Sequence, residues 1–401
     1  MLSGKCVVVG VCGGIAAYKA AHVVSMLKKL GADVHVIMTD AAQEFVGKIT
    51  FQTLSQNLVT CDMFDEPKTW EVEHIELATK ADLFLVVPAT ANTIAKMANG
   101  IADNMLTCVY MATKAKVLVA PAMNKNMYDN PATIENIQKL LDRGCRFVDA
   151  DEGFLACGTT GKGRLAEPDR IIEAVIDEIA FEKDLRALKV LVSAGATRES
   201  IDPVRFITNH SSGKMGYALA RAAKRRGADV VLVSGKTNLD DIDGVKMIKV
   251  ESAKQMHDEI VERSTNSDII IKAAAVADYA PTSVSDNKIK KTNDDMTIEL
   301  CKNPDILLEL GQKKLEGQVL VGFCMETQNL LDNAKDKLVR KKCDLIVANN
   351  VLNEGAGFGT DTNTVTILCD DGQVLTPQNM SKDNLAHIIL DAAKKKYNEK
   401  N

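Results

Sequence analysis

The sequence predicts an α/β protein built from two doubly wound, mainly parallel sheets. Three observations carry that expectation. The chain has 401 residues, more than one compact core usually holds, which points to two domains. Short apolar runs of strand length alternate with longer amphipathic stretches, the order expected when crossover helices link parallel strands. One pattern of strand, glycine turn, helix and strand occurs twice, near residue 7 and again near residue 190.

In the first copy, Val7-Val8-Val9-Gly10 is a buried strand leading into Gly13-Gly14, and an amphipathic helix is expected over 15–30. Gly31-Ala32-Asp33-Val34 then turns into the strand His35-Val36-Ile37-Met38. Apolar runs at 82–87 and 116–120, each closed by a proline, are strands buried on both faces. A helix opened by Pro168 ends in charged residues near 183. The domains are therefore expected to be 1–186 and 187–401. In the second copy, Val190-Leu191-Val192-Ser193-Ala194-Gly195 is followed by a long loop. Ser211-Ser212-Gly213 then opens a helix through Arg226. Gly227-Ala228-Asp229-Val230 begins the next strand, and runs at 268–271 and 344–348 continue the sheet. Such units cross over right-handedly, and their ligands sit at strand carboxyl ends, after residues 9, 38, 87, 120, 193, 271 and 347.

Composition excludes several classes. Hydrophobic residues at 46% and charged residues at 26% describe a folded chain, and a net charge of −5 argues against a broad nucleic-acid surface. No apolar run reaches the roughly 18–20 residues of a membrane-spanning helix, and the first apolar run is too short for a signal peptide. Ten cysteines without a C-x-x-C pair, beside six histidines, speak against disulfides and structural zinc. A reducing, cytoplasmic setting is expected.

Candidate site residues lie in the strand-end loops. Gly13 and Gly14 fall between a strand and a helix, where free amides favour phosphate, but G-x-G-x-x-G spacing is missing. Thr90, Asn92, Thr93 and Lys96 offer small polar groups suited to the edge of a planar ring. Asn124 lies in Pro121-Ala122-Met123-Asn124 after another strand. His74 begins a short helix, a position that by itself reads as structural. Cys157 stands among Gly153, Gly158, Gly161 and Gly163, a composition expected of a flap that closes over substrate.

These motifs resemble the flavin-dependent phosphopantothenoylcysteine decarboxylases over residues 1 to about 185. The match covers Gly-Gly-Ile-Ala-Ala-Tyr-Lys from Gly13, the His74 region, Pro-x-Met-Asn-x-x-Met from Pro121, and Ala-Cys-Gly from Ala156. The resemblance implies FMN against Gly13, Gly14, Thr39, Thr90, Asn92, Thr93 and Lys96. It implies that His74 assists thiol deprotonation and oxidation, Asn124 holds the substrate carboxylate and Cys157 donates a proton. Cys12 and Tyr128 stand where the family commonly has Ser and often Trp. The implied chemistry is coherent: CO₂ loss from a cysteine carboxyl leaves an unstabilised carbanion unless a flavin first oxidises the adjoining Cβ–S unit.

In the second half, Arg198, Arg205 and Lys214 crowd a loop rich in Ser, Gly and Asn. Met215 follows Lys214 where a Walker loop needs Ser or Thr, so ordinary P-loop hydrolysis is not expected. Small residues at 273–277 permit close backbone approach, and Asp278 is a possible Mg²⁺ ligand. Residues 187–401 resemble the phosphopantothenate–cysteine ligases. The match rests on the run from Asp202 to Gly216, on Ala275–Tyr279, on Lys288-Ile289-Lys290-Lys291 and on Asn303-Pro304-Asp305-Ile306. Phe323, Lys337 and Lys341 complete it. Decarboxylase then ligase is the order of the bacterial fused enzymes of coenzyme A biosynthesis, which prefer CTP. The resemblance implies that Lys288 stabilises charge at the α-phosphate and that Asp278 holds Mg²⁺. It further implies that Asn209 and Arg205 hold 4'-phosphopantothenate and its acyl-nucleotide. Asn303, Pro304, Asp305, Ile306 and Phe323 would frame CTP, with Lys337 and Lys341 meeting phosphates from one helical face. It also implies trimers of the first half joined by dimers of the second into a dodecamer. The implied partners are small molecules, namely 4'-phosphopantothenate, cysteine, CTP and phosphopantothenoylcysteine. Two other readings are an NAD(P)-dependent oxidoreductase, for which only Asp40 speaks, and a non-catalytic regulatory binding protein.

Overall fold

The computed structural model describes residues 1–64, 72–154, 158, 160–291, 296–326, 329–350 and 360–401. Cys157 therefore lies outside the described residues. The chain divides into two compact units, Met1–Glu182 and Lys183–Asn401.

The first unit holds a five-stranded sheet. Its strands lie side by side in the order Asp33–Met38, Cys6–Val11, Leu83–Ala89, Lys116–Pro121 and Arg146–Phe147. Every pairing is parallel. Helices cover both faces, which is why all of Cys6–Val11 and Leu83–Ala89 are buried and read as unbroken apolar runs. Val7, Val9 and Val11 face the helices Ala17–Lys29 and Pro168–Ile179. Val8, Phe84 and Val86 face Glu73–Lys80, Ala91–Asn99 and Met105–Ala112. Truncating Phe84, which is fully buried, to alanine would cost about 3–5 kcal/mol. Strand order reverses between Cys6–Val11 and Leu83–Ala89, so a crevice opens at their carboxyl ends.

The second unit holds an eight-stranded sheet. Its order is Lys246–Lys249, Asp229–Ser234, Lys189–Ala194, Ile269–Lys272, Val319–Glu326, Leu345–Asn350, Val365–Cys369 and Val374–Leu375. The first six strands are parallel, Val365–Cys369 runs antiparallel to them, and Val374–Leu375 pairs antiparallel with it. The reversal falls between Lys189–Ala194 and Ile269–Lys272, the position equivalent to the crevice of the first sheet. The helix Lys214–Arg225 buries its alanine face, Ala218, Ala220, Ala222 and Ala223, against the strands.

The stretch after Gly195, expected as a plain loop, contains an antiparallel hairpin of Arg198–Ser200 with Phe206–Thr208. Its turn is closed by Asp202, whose carboxylate accepts the amides of Val204 and Arg205, both at 2.8 Å. An aspartate that binds the backbone just after itself makes a tight turn out of a polar segment. At the amino edges of the two sheets, turns such as those at Gly144 and Gly372 adopt left-handed φ values of 91° and 87°.

Candidate active sites

In the first unit the crevice is shaped by glycine. A Cβ on Gly13 would stand 2.4 Å from the Ala41 Cβ and 2.6 Å from its backbone carbon. The strand-to-helix turn thus lies directly on the neighbouring segment, and the first turn of Ala17–Lys29 opens onto the crevice. A helix start of this kind attracts phosphate through its free amides. Thr90 caps the helix Ala91–Asn99, its hydroxyl oxygen accepting the Thr93 amide at 3.3 Å. Asn124 caps Lys125–Tyr128 by accepting the Asn126 amide at 2.8 Å. Gly163, at φ 138°, brings the strand Thr160–Arg164 onto this cap: its carbonyl accepts the Met123 amide at 2.9 Å.

Between these elements lies a cavity of about 460 Å³, whose walls include Gly13, Gly14, Thr90, Asn124, Met127 and Arg164. That volume falls within the usual range of a small-molecule site. At the end of the neighbouring strand, the buried Thr39 hydroxyl has no hydrogen-bond partner among the described residues. Such an orphan costs about 1–3 kcal/mol until something binds it.

The cavity unites Gly13, Gly14, Thr90 and Asn124. Other expected residues lie off its wall. His74 is in the first turn of Glu73–Lys80, a helix that packs on the same sheet face as Ala91–Asn99. Asn92 is exposed, Thr93 is buried beside Thr90, and Lys96 pairs with Asp103 at 2.6 Å. Conversely, the wall includes Lys19 and Arg164, both ion-paired to Glu167, which residue patterns did not single out. Lys19 sits within the Gly13 motif; Arg164 carried no local signal.

In the second unit, Gly213 starts the helix Lys214–Arg225 at φ 80°, and a Cβ there would be 2.6 Å from the Thr237 side chain. Asn209 reaches across to the 275 loop, its Nδ2 donating to the Ala275 carbonyl at 3.3 Å. That loop is held twice more: the Ala277 amide donates to Thr197 Oγ1 at 3.0 Å, and Asn303 Nδ2 donates to the Ala277 carbonyl at 2.9 Å. The Asn303 amide also donates to the Asp278 carbonyl at 2.9 Å, leaving the Asp278 side chain exposed at the strand ends.

Arg205, expected to hold substrate, is engaged with its own hairpin. It donates to Asp202 and, through Nη2, to the Ile289 carbonyl at 2.8 Å. Its bonds hold the Asp202 carboxyl well below the usual carboxylate range. Through Ile289 they also fix the base of the segment that presents the exposed Lys288.

Asp305 caps Ile306–Lys313 and pairs with Lys341. Burial pushes its carboxyl up, but the bonds from Lys341 and the Leu308 amide, with the charges of Lys341 and Lys272, together leave it below its ordinary value. Lys337, in the helix Leu330–Arg340, donates to the Phe323 carbonyl at 3.1 Å. Pro304 is exposed beside Asp305, while Ile306 is buried in the core and supplies only backbone. A lysine that sequence reasoning missed stands among these groups. Lys272 ends the central strand Ile269–Lys272, and burial together with Lys337 pushes its pKa down to about 8.

Fold and sites together define a class. Residues 1–180 match the family described as flavoprotein, and residues 185–397 match the DNA/pantothenate metabolism flavoprotein C-terminal domain. The chain belongs to the family of the coenzyme A biosynthesis bifunctional protein CoaBC. It is 50% identical to the Bacillus subtilis (strain 168) member, covering 97% of both chains. It is 41% identical to the Escherichia coli (strain K12) member, covering 100% of this chain and 99% of that one. A crystal structure of the C-terminal domain of a CoaBC protein is 39% identical and covers 54% of this chain and 100% of that chain, with a TM-score of 0.47. No helix among the described residues is long and apolar enough to cross a membrane.

Proposed function

We propose that the chain carries out two consecutive steps of coenzyme A biosynthesis in the cytoplasm. The ligase half, 187–401, joins 4'-phosphopantothenate to cysteine at the expense of CTP. The decarboxylase half, 1–186, converts the resulting phosphopantothenoylcysteine to 4'-phosphopantetheine with FMN. The observation that carries this reading is the pair of strand-order reversals in a chain of this family, one opening a glycine-lined cavity and one with Lys272 and Lys337 at its strand ends. Family membership also weighs against the oxidoreductase and regulatory readings.

The first crevice fits FMN. Gly13 and Gly14 allow backbone amides close approach to its phosphate, the orphaned Thr39 hydroxyl would find a partner, and Thr90 lines the wall. Bound FMN supplies reversible two-electron chemistry. Asn124 holds the substrate carboxylate until CO₂ leaves, and the cavity wall shields the site from water. Cys157 delivers the proton that the decarboxylated carbon requires. His74, off the wall of its own subunit's cavity, reaches the site of a second copy, in keeping with a trimer whose flavin sites lie at subunit contacts. Dimers of the ligase half would complete a dodecamer.

In the ligase half, the phosphopantothenate carboxylate attacks the CTP α-phosphate, giving acyl-cytidylate and pyrophosphate. The cysteine amine then attacks the acyl carbon, forming the amide and releasing CMP. Lys288 stabilises the charge that grows on the α-phosphate. Asn209, anchored on the Ala275 carbonyl, orients the acyl group for the amine. One exposed carboxylate, Asp278, suits Mg²⁺, which takes most of its remaining ligands from phosphates and water.

The test is product mass spectrometry on the purified full chain given phosphopantothenate, cysteine, CTP and Mg²⁺. The expected product is phosphopantetheine, with CMP and pyrophosphate released. Absence of the amide would reject the ligase assignment. A colourless protein lacking flavin absorbance, even after incubation with FMN, would reject the flavin assignment.

A further inference from the structure

Lys272 is an uncommon residue for its place. The strand Ile269–Lys272 lies in the middle of the eight-stranded sheet, between Lys189–Ala194 and Val319–Glu326, and Lys272 is registered with Ser193 on one side and Gly322 on the other. The preceding three isoleucines are all buried. The lysine is half-buried at the point where strand order reverses, where ligands of such sheets bind. Its ammonium donates to the Ala274 carbonyl at 3.3 Å.

The charges around it do not balance. Lys337 and Lys341 face it from the helix side, Asp305 from the cap of Ile306–Lys313, and Asp278 from the loop after its own strand. Asp305 is committed to Lys341. Lys337, like Lys272, donates to a backbone carbonyl. The Asp278 side chain is exposed, and bound Mg²⁺ would neutralise it. Two ammonium groups are therefore held near one another in protein surroundings, which is unfavourable until an anion arrives. Burial pushes Lys272 down to about pKa 8, and the charge of Lys337 adds to it.

We propose that Lys272 is a further nucleotide ligand of the ligase site, donating from the strand end to the triphosphate of CTP alongside Lys337. The inference rests on the nucleotide reading of this site and adds to it a residue that takes up a proton as the nucleotide binds. A polyphosphate beside Lys272 restores its charged form, so binding near or above pH 8 draws protons from solution.

Calorimetric titration of the full chain with CTP and Mg²⁺ at pH 8.5, in two buffers of different ionisation enthalpy, reads both affinity and proton uptake. Wild type should bind with net proton uptake. K272M should bind roughly 10–100-fold more weakly, as expected for one lost charge-assisted contact, and its uptake should fall. K272R should keep the affinity but lose the uptake, because arginine is charged throughout. A lysine that merely pinned the 274 carbonyl would change neither the uptake nor its buffer dependence. If wild type binds no CTP, the nucleotide reading itself fails. If wild type binds CTP and K272R retains its proton uptake, the role of Lys272 is overturned while that reading stands; this arm decides even if K272M does not fold.

Discussion

Arg205 and Asp202 are joined twice, Nε and Nη2 of the arginine both donating to the same aspartate oxygen, at 2.9 and 2.5 Å. That oxygen also accepts the Ile289 amide at 3.1 Å. One ion pair thus closes the hairpin after Gly195 and ties the Lys288 segment to it. If Lys288 acts on the nucleotide as proposed, Arg205 would influence ligation through the position of Lys288.

Arg205→Gln should therefore lower ligation sharply and leave decarboxylation of supplied phosphopantothenoylcysteine intact. It should also move acid unfolding of the second unit. Asp202 is held below its ordinary value chiefly by Arg205, so its contribution to stability is full above the unfolded pKa of about 3.9 and is lost as pH falls below it. Without Arg205 that contribution is smaller at every pH above the unfolded value, so the unit has less stability to lose before acid unfolds it. A fluorescence-monitored acid titration should show a raised midpoint for the variant; an unchanged midpoint would remove the pair from the stability argument.

Gly13→Ala tests the flavin cradle. The added methyl would stand 2.4 Å from the Ala41 Cβ, so one segment must shift. Overpacking of this kind costs about 1–3 kcal/mol. The purified variant should be pale, with reduced flavin absorbance and a lower melting temperature, while ligase activity persists. A fully yellow protein with an unaltered melt would show that the turn does not touch the cofactor.

Lys288 and Asn209 should fail at different steps. Lys288→Gln removes a charge aimed at the α-phosphate and should block acyl-cytidylate formation by roughly 10²–10³-fold. Asn209→Asp replaces a donor by an anion facing the Ala275 carbonyl, now at 3.3 Å from Nδ2, so the loop and the acyl group lose their register. That variant should release pyrophosphate and accumulate acyl-cytidylate with little amide. Mass spectrometry of quenched mixtures distinguishes the two, and accumulation in both or neither would contradict separate roles.

Cys157→Ser should keep flavin bound yet stall after CO₂ loss, since a hydroxyl is far less acidic than a thiol. The product released on quenching should be two hydrogens lighter than phosphopantetheine. Normal turnover to phosphopantetheine would remove Cys157 from the proton-transfer step.

Much of the scaffold was legible because central strands buried on both faces must be apolar throughout, as Val7-Val8-Val9 and Ile269-Ile270-Ile271 are. Gly13 and Gly213 were legible as turns because local crowding leaves room only for hydrogen. Lys272 was not, since a charged residue ending an apolar strand looks like ordinary strand termination. Its meaning comes from Asp305 and Lys337, brought near by folding rather than by spacing. The substrate role of Arg205 came from resemblance alone, and its bond to the Ile289 carbonyl, 84 residues away, could not be read from spacing.

The glycine turns at Gly144 and Gly372 have nothing within 4 Å of the place a Cβ would occupy, and each lies at the amino edge of its sheet. The loops proposed to carry the chemistry lie at the other edge. A short peptide tag spliced in at either turn would project into solvent, with no chemistry to obstruct. One insertion in each half would give two independent handles, so that immobilisation or dye labelling could report on flavin turnover and on amide formation separately within a single polypeptide.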